Sequence, residues 1–208
     1  MIVRAAEKMA RHYSSLSSSP EKLYYEYAYG FQLLLSTAIN TLLIVLLSLV
    51  FGAILETLFF MVSFISLRIT AGGYHAKSHI SCIFLICATY TALALLITLL
   101  PQSAMTMFSL LCIVASALIV WAYSPVAAVN KPIGSKQKLR LQSQSFVVVS
   151  VLMLIALASH LITAIPTKLV AFGMSGALAA TASAYIARKI ITKGETQFEN
   201  AYEDRKYD

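Results

Sequence analysis

One short polar segment of the chain, residues 68–82, places a histidine and a cysteine close together between two long apolar runs. A cysteine becomes a nucleophile when a nearby base or positive charge stabilises its thiolate. His75 provides such a base, and Arg68 and Lys77 make its surroundings electropositive. This combination predicts covalent catalysis by Cys82, as in a cysteine protease, with His75 as the general base.

The spacing of His75 and Cys82 restricts the local structure. Seven residues along a straight helix separate two Cα atoms by about 10.5 Å, whereas a nucleophile and its base must come within about 3 Å of each other. The glycine pair Gly72-Gly73 precedes His75 and permits backbone conformations that other residues resist. We therefore expect a bend or loop within residues 68–80 that turns His75 back toward the start of the helix carrying Cys82.

Two other interpretations of these residues stay open at this point. His75, His79 and Cys82 follow one another at helical spacing, which also suits a three-ligand zinc site with one open position. Arg68 also fits the role of an anchor at a membrane end, because a long basic side chain can bury its stem and keep its charge in water.

The composition predicts an all-α integral membrane protein with about six spans. Apolar residues make up 59% of the chain and charged residues only 12%. A run of about 20 apolar residues is long enough to cross a hydrocarbon core of about 30 Å. Such runs occur at residues 31–51, 82–100, 105–123, 146–165 and 169–187, and a shorter one that includes Glu56 occurs at 53–67.

The basic residues predict the orientation of these spans. With six spans, fifteen of the sixteen Lys and Arg residues fall on one side of the membrane, and only Lys168 falls on the other. Since basic residues accumulate on the cytoplasmic side, both termini and residues 68–82 are expected to be cytoplasmic. The same face would attract anionic lipids or an acidic peptide. Because the basic residues are scattered among short loops, we do not expect the protein to bind nucleic acid.

The chain is expected to form one membrane-embedded domain, residues 1–208, with a transmembrane core at 31–187. Arg4, Lys8 and Arg11 form a basic stripe at helical spacing, so residues 1–22 are expected to lie at the interface as an amphipathic helix, or else as a solvated terminus. Residues 188–208 form a cytoplasmic tail. Residues 124–145 are expected to be the longest polar connection.

The segment around His75 and Cys82 resembles the accessory gene regulator B family, the membrane endopeptidases that process quorum-sensing propeptides. That family carries an arginine, a glycine-containing turn, the catalytic histidine and, seven residues later, the catalytic cysteine. The matching positions here are Arg68, Gly73, His75 and Cys82. Gln32 resembles the family's glutamine near the first span, and Lys131-Pro132-Ile133 resembles its Lys-Pro segment.

The resemblance implies cleavage of a propeptide of the accessory gene regulator D type in the cell membrane of a Gram-positive-type bacterium. It implies no cofactor and no metal, and a thiolactone or lactone product formed through an acyl-enzyme thioester. Gln32 is a candidate oxyanion donor, and four basic residues are candidates for binding the substrate: Lys131, Lys136, Lys138 and Arg140. The small-residue stretch at 173–177 allows a homodimer. The alternative is a small transporter or export channel in which residues 68–82 form a loop or metal-binding gate.

Overall fold

The computed structural model describes residues 2–15, 20–72, 79–126, 135–162 and 165–204. Every regular element in these ranges is an α-helix, as the composition predicts. The seven helices are α1 (Ile2–Ser14), α2 (Pro20–Val50), α3 (Ile54–Ala71), α4 (His79–Leu99), α5 (Gln102–Tyr123), α6 (Ser135–Leu161) and α7 (Thr167–Asp204).

Six of these helices are long and apolar enough to cross a membrane, which confirms the predicted all-α, multi-pass class. Their candidate spans are Gly30–Val50, Ile54–Ala71, Ser81–Leu99, Gln102–Tyr123, Lys136–Leu161 and Thr167–Ile190. Most of the predicted boundaries agree with these spans to within a few residues. The second span is longer than expected and includes Arg68, because α3 continues to Ala71.

The predicted polar connection at 124–145 is wrong in its second half. Helix α6 begins at Ser135 and ends at Leu161, whereas its span was expected at 146–165. The early part of α6 is rich in Lys, Gln, Leu and Arg and contains no glycine or proline. These residues favour a helix, so the helix begins well before the continuous apolar run does.

The residues group into two compact units. The first comprises Met1–Phe51 and Ala76–Ala88, and in it α1 packs against α2. The small residues Ala6, Ala10 and Ser14 are buried on one face of α1, while the basic residues of the predicted stripe are exposed. Helix α1 is therefore amphipathic, in agreement with the first of the two alternatives, and its position at a membrane interface stays a prediction.

The second unit comprises Gly52–His75 and Thr89–Asp208, and its central feature is the packing of α3 against α7. Near their N-termini, Glu56 and Lys168 form an ion pair at 3.8 Å. Further along, a Cβ atom on Gly176 would collide with the carbonyl oxygen of Phe60. The two helices therefore run parallel and approach closely. The small-residue stretch at 173–177 is buried in this contact within the chain, so it does not support a homodimer.

A buried polar cluster links α3 to α4 inside the second unit. Tyr90 is fully buried, and its hydroxyl lies 2.6 Å from Thr57 Oγ1. Thr57 also hydrogen-bonds the backbone carbonyl of Ala53 at 2.6 Å, and the ring of Phe60 meets Tyr90 edge-on. A buried hydroxyl without a partner is costly, and this arrangement satisfies both hydroxyl groups.

Several chain segments meet at one end of the second unit. After α5, the backbone N–H of Val126 donates to the carbonyl of Ala71 at the end of α3, at 3.0 Å. The hydroxyl of Ser124 donates to that of Ser145 on α6, at 3.0 Å. Tyr123, at the end of α5, packs against Tyr185 in the middle of α7. Helices α3, α5 and α7 therefore run in the same direction, as every second crossing of a membrane must.

Candidate active site

The proposed nucleophile lies at the beginning of a helix. Cys82 is the fourth residue of α4, which starts at His79, and it is a half-buried free thiol. The first four N–H groups of a helix have no acceptor within the helix, and they give its N-terminus a partial positive charge. The Cys82 side chain therefore starts within the turn of α4 that carries this charge. The local fold therefore suits a nucleophilic cysteine.

The expected break between the two helices is present. Helix α3 ends at Ala71, and Gly72 has φ 83° and ψ −166°, a conformation that is essentially restricted to glycine. Helix α4 starts only at His79. His75 and Gly73 lie outside the described residues, so the prediction that His75 turns back toward Cys82 stays a prediction.

The backbone at Gly72 is held by the segment that follows α5. Besides the hydrogen bond from Val126 to Ala71, the carbonyl oxygen of Val126 occupies the place where a side chain on residue 72 would begin. We call this arrangement the Gly72–Val126 contact. It fixes the point at which the chain leaves α3 toward His75. The glycine pair signalled a turn, but nothing in the sequence indicated that residues some fifty positions later would hold it.

Arg68 is directed to a partner within the second unit. Its Nη1 donates to the hydroxyl of Ser183 on α7 at 2.8 Å, and its guanidinium lies 5.8 Å from the centre of the Phe64 ring. The side chain is half-buried. It therefore links the C-terminal end of α3 to α7, which differs from the membrane-anchor interpretation. Ser183 was missed because no spacing pattern connects two residues so distant in sequence.

The other predicted site residues lie on three different segments. Gln32 is half-buried on α2 in the first unit. Lys136, Lys138 and Arg140 are exposed on the first turns of α6, so they belong to a helix and not to the predicted loop. Lys131 lies outside the described residues.

The zinc alternative stays open after the described residues are considered. Within the described ranges, no group of three or more His, Cys, Asp or Glu side chains could hold a metal ion. The postulated ligand His75 lies outside those ranges, as does the side chain of His79. The remaining cysteines are free thiols: Cys112 is buried on α5 and Cys87 is half-buried on α4. The burial of Cys112 agrees with its predicted packing role.

Comparison with known proteins bears directly on this arrangement. The family model described as Accessory gene regulator B matches residues 3–184. The chain belongs to the accessory gene regulator B family. The matched range contains every proposed site residue from Gln32 to Arg140, and it extends from α1 to the middle of α7.

A curated relative agrees with the family assignment. Accessory gene regulator protein B of Staphylococcus haemolyticus (strain JCSC1435) is 32% identical to the chain over 127 residues. The aligned part is 61% of this chain and 66% of that protein, so the match spans just under two thirds of the relative's length. No solved structure matches the chain. Family membership and the six apolar helices together identify a multi-pass membrane protein.

Proposed function

We propose that this chain is a membrane cysteine endopeptidase that cleaves the C-terminal part from a propeptide of the accessory gene regulator D type. The observation that carries the proposal is the position of Cys82. It lies in the first turn of α4, seven residues after His75, in a chain that belongs to the accessory gene regulator B family. Family membership also favours propeptide processing over the transporter alternative.

The first step forms a thioester. His75 accepts the proton of the Cys82 thiol, and the sulfur attacks the carbonyl carbon of the scissile peptide bond. The tetrahedral intermediate collapses with cleavage of the C–N bond. His75 returns its proton to the departing amine, which leaves with the C-terminal part of the propeptide. The N-terminal part stays bound to Cys82 as a thioester.

The second step releases the product as a ring. A cysteine thiol within the bound peptide attacks the thioester carbonyl, so that one C–S bond forms while the bond to Cys82 breaks. The thiol proton passes to the Cys82 sulfur by way of His75. Because a thioester is exchanged for another thioester, the step needs no external energy source. A serine at the same position of the propeptide would give a lactone.

Other residues have supporting roles in this proposal. Gln32 donates an amide N–H to the developing oxyanion, a type of stabilisation that is commonly a large part of catalysis. Arg68 shapes the end of α3 through its bond to Ser183. The exposed basic residues on α6 attract an acidic propeptide to the side of the membrane that carries most of the Lys and Arg residues, which the positive-inside rule makes cytoplasmic.

Co-expression with a candidate propeptide, followed by mass spectrometry of the products, tests the proposal. Cys82→Ala and Cys82→Ser are expected to abolish cleavage, since the thioester cannot form. His75→Ala is expected to do nearly the same, because an unactivated thiol is only a few per cent thiolate at neutral pH. Cys87→Ala and Cys112→Ala are the matched controls and should leave cleavage largely intact. Persistent cleavage by Cys82→Ala would remove this residue from the mechanism.

A second comparison separates the dyad from a metal site. His79→Ala should be tolerated if His75 and Cys82 act alone, and a chelator should then have no effect on cleavage in isolated membranes. A zinc site built from His75, His79 and Cys82 requires the opposite on both counts. Chelator-sensitive cleavage that is also lost in His79→Ala would replace the dyad with a metal centre.

A further inference from the structure

An open groove of about 530 Å³ runs along one face of α6. Its lining changes in character along the helix. Leu139 and the polar residues Gln142 and Ser143 line the end nearer the N-terminus, and the rest, apart from Ser150, is apolar down to Leu154. Phe146 and Val147 lie between them and remain exposed. The groove is therefore polar at one end and apolar over most of its length.

Two of the three exposed basic residues at the start of α6 belong to the same face as this groove. Lys136 and Arg140 precede Ser143 at intervals of four and three residues, so they continue its helical stripe. Lys138 lies about 200° around the helix from Lys136, since each residue turns the helix by about 100°, and it precedes Gln142, at the edge of the groove, by four residues. Helix α6 contains no Asp or Glu that could pair with these charges. The polar end of the groove is thus extended by two cations.

The part of the groove between Ser143 and Leu154 matches one leaflet of a bilayer in length. From Ser143 to Leu154, the helix rises by about 16.5 Å, and half of a hydrocarbon core of about 30 Å is about 15 Å. The groove thus ends close to the depth that the acyl chains of one leaflet reach. Its basic and polar end lies where lipid headgroups would be.

The chemistry of the membrane interior discriminates between occupants. All the lining residues belong to α6, so an occupant would also face the surrounding hydrocarbon. An extended peptide would carry unpaired backbone groups into that region, which is costly. An acyl chain carries no such groups.

We propose that this groove binds an anionic phospholipid, with its phosphate against Lys136 and Arg140 and one acyl chain along the apolar part of α6. The proposal does not depend on the peptidase activity. It divides the basic residues of α6 between two roles: Lys136 and Arg140 contact lipid, and Lys138, on the other side of the helix, stays available to a peptide.

Tryptophan quenching by brominated lipids tests the site. Trp121 is the single tryptophan of the chain, so Trp121→Phe combined with Phe146→Trp places one fluorophore in the groove. This protein is reconstituted into phosphatidylcholine vesicles that contain brominated phosphatidylglycerol or, at the same mole fraction, brominated phosphatidylcholine. We expect the anionic lipid to quench more strongly. Lys136→Gln and Arg140→Gln should each reduce that preference about fivefold, since a basic residue near the surface is worth about 1 kcal/mol toward anionic lipid.

Lys138→Gln is the matched control, because it removes the same charge at almost the same depth from the other side of α6. It should leave the preference largely unchanged. An equal loss in all three variants would show diffuse attraction to the membrane surface and would overturn the proposal. Equal quenching by the two lipids in the tryptophan variant that keeps all its Lys and Arg residues would overturn the proposal as well. Relief of quenching by a soluble acidic peptide would assign the groove to a peptide.

Native mass spectrometry of the unmodified protein gives a second measurement that does not depend on the tryptophan variants. After extraction in mild detergent from membranes that contain both lipids, the protein should retain phosphatidylglycerol in preference to phosphatidylcholine. Lys136→Gln with Arg140→Gln should lose that preference, and Lys138→Gln should keep it. Retention of both lipids in proportion to their abundance would contradict a specific site.

Discussion

Substitution of Gly72 by alanine offers the sharpest test of how the segment carrying His75 is held. Gly72 has φ 83° and ψ −166°, and forcing another residue into such a conformation costs about 1–3 kcal/mol. The new Cβ would also collide with the carbonyl oxygen of Val126. If the segment that carries Val126 moves away to avoid this collision, the hydrogen bond from Val126 to Ala71 is lost, at a further cost of about 0.5–1.5 kcal/mol.

Together these effects predict that Gly72→Ala destabilises the protein by about 1.5–4.5 kcal/mol. For a chain of this size, each kcal/mol lowers the Tm by about 2–4 °C. We therefore expect a decrease of between about 3 and 18 °C. The loss of stability should originate at the C-terminal end of α3, because residue 72 directly follows that helix.

The glycines of the chain supply matched controls. Gly52 has φ 57°, but the space that a Cβ atom would occupy there is open, so Gly52→Ala incurs backbone strain alone, about 1–2 kcal/mol. Gly30 lies inside α2 with nothing near its Cβ position, so Gly30→Ala should stabilise the helix by about 0.5–1 kcal/mol. The expected order of Tm is Gly30→Ala, then the unsubstituted protein, then Gly52→Ala, then Gly72→Ala.

Thermal unfolding can be followed through a buried thiol. In a Cys82→Ala, Cys87→Ala background, Cys112 is the only remaining cysteine, and its exposed fraction in the folded protein is 2%. A maleimide that fluoresces on reaction with thiols then reports unfolding of the detergent-solubilised protein. A Gly72→Ala protein with an unchanged Tm, or with a Tm equal to that of Gly52→Ala, would refute the structural role given to the Gly72–Val126 contact.

Three further outcomes are expected. A reporter fused after Arg188 should be cytoplasmic and one inserted near Gln102 external; the reverse would overturn the orientation. Tyr90→Phe should destabilise the protein by about 1 kcal/mol in the same thermal assay, and its effect should be less than additive with that of Thr57→Val because the two hydroxyls bond each other. Arg68→Ala should slow propeptide processing measured by gel shift, less completely than Cys82→Ala; wild-type rates would exclude Arg68 from the site.

Much of this fold could be predicted from the sequence because hydrophobic length is a direct physical requirement for crossing a bilayer. The prediction failed where hydropathy and helix propensity point to different structures. Residues 135–145 are polar and therefore resemble a loop by hydropathy, yet they are good helix formers and belong to α6. The tail beyond Arg188 was expected to be an exposed helix or coil, and α7 continues through it to Asp204 after the apolar run has ended.

The site was predictable only in its local features. The glycine pair indicated the end of α3, and the apolar run that begins near Cys82 indicated the start of α4, since both signals lie within a few residues of the structure they determine. Ser183 and Val126 could not be found in this way. Each contacts the C-terminal part of α3 only because α3, α5 and α7 pack together. That packing cannot be deduced from a single sequence.

The parallel packing of α3 on α7 explains why such distant residues matter to the site. Glu56 pairs with Lys168 at one end, the backbone of Phe60 lies against Gly176 in the middle, and Arg68 bonds Ser183 near the other end. The interval between partners stays between 112 and 116 residues throughout, so the two helices keep one register over their shared length. Because packed helices resist sliding, this register fixes the position of the C-terminal end of α3 along α7. The link toward His75 starts from that position.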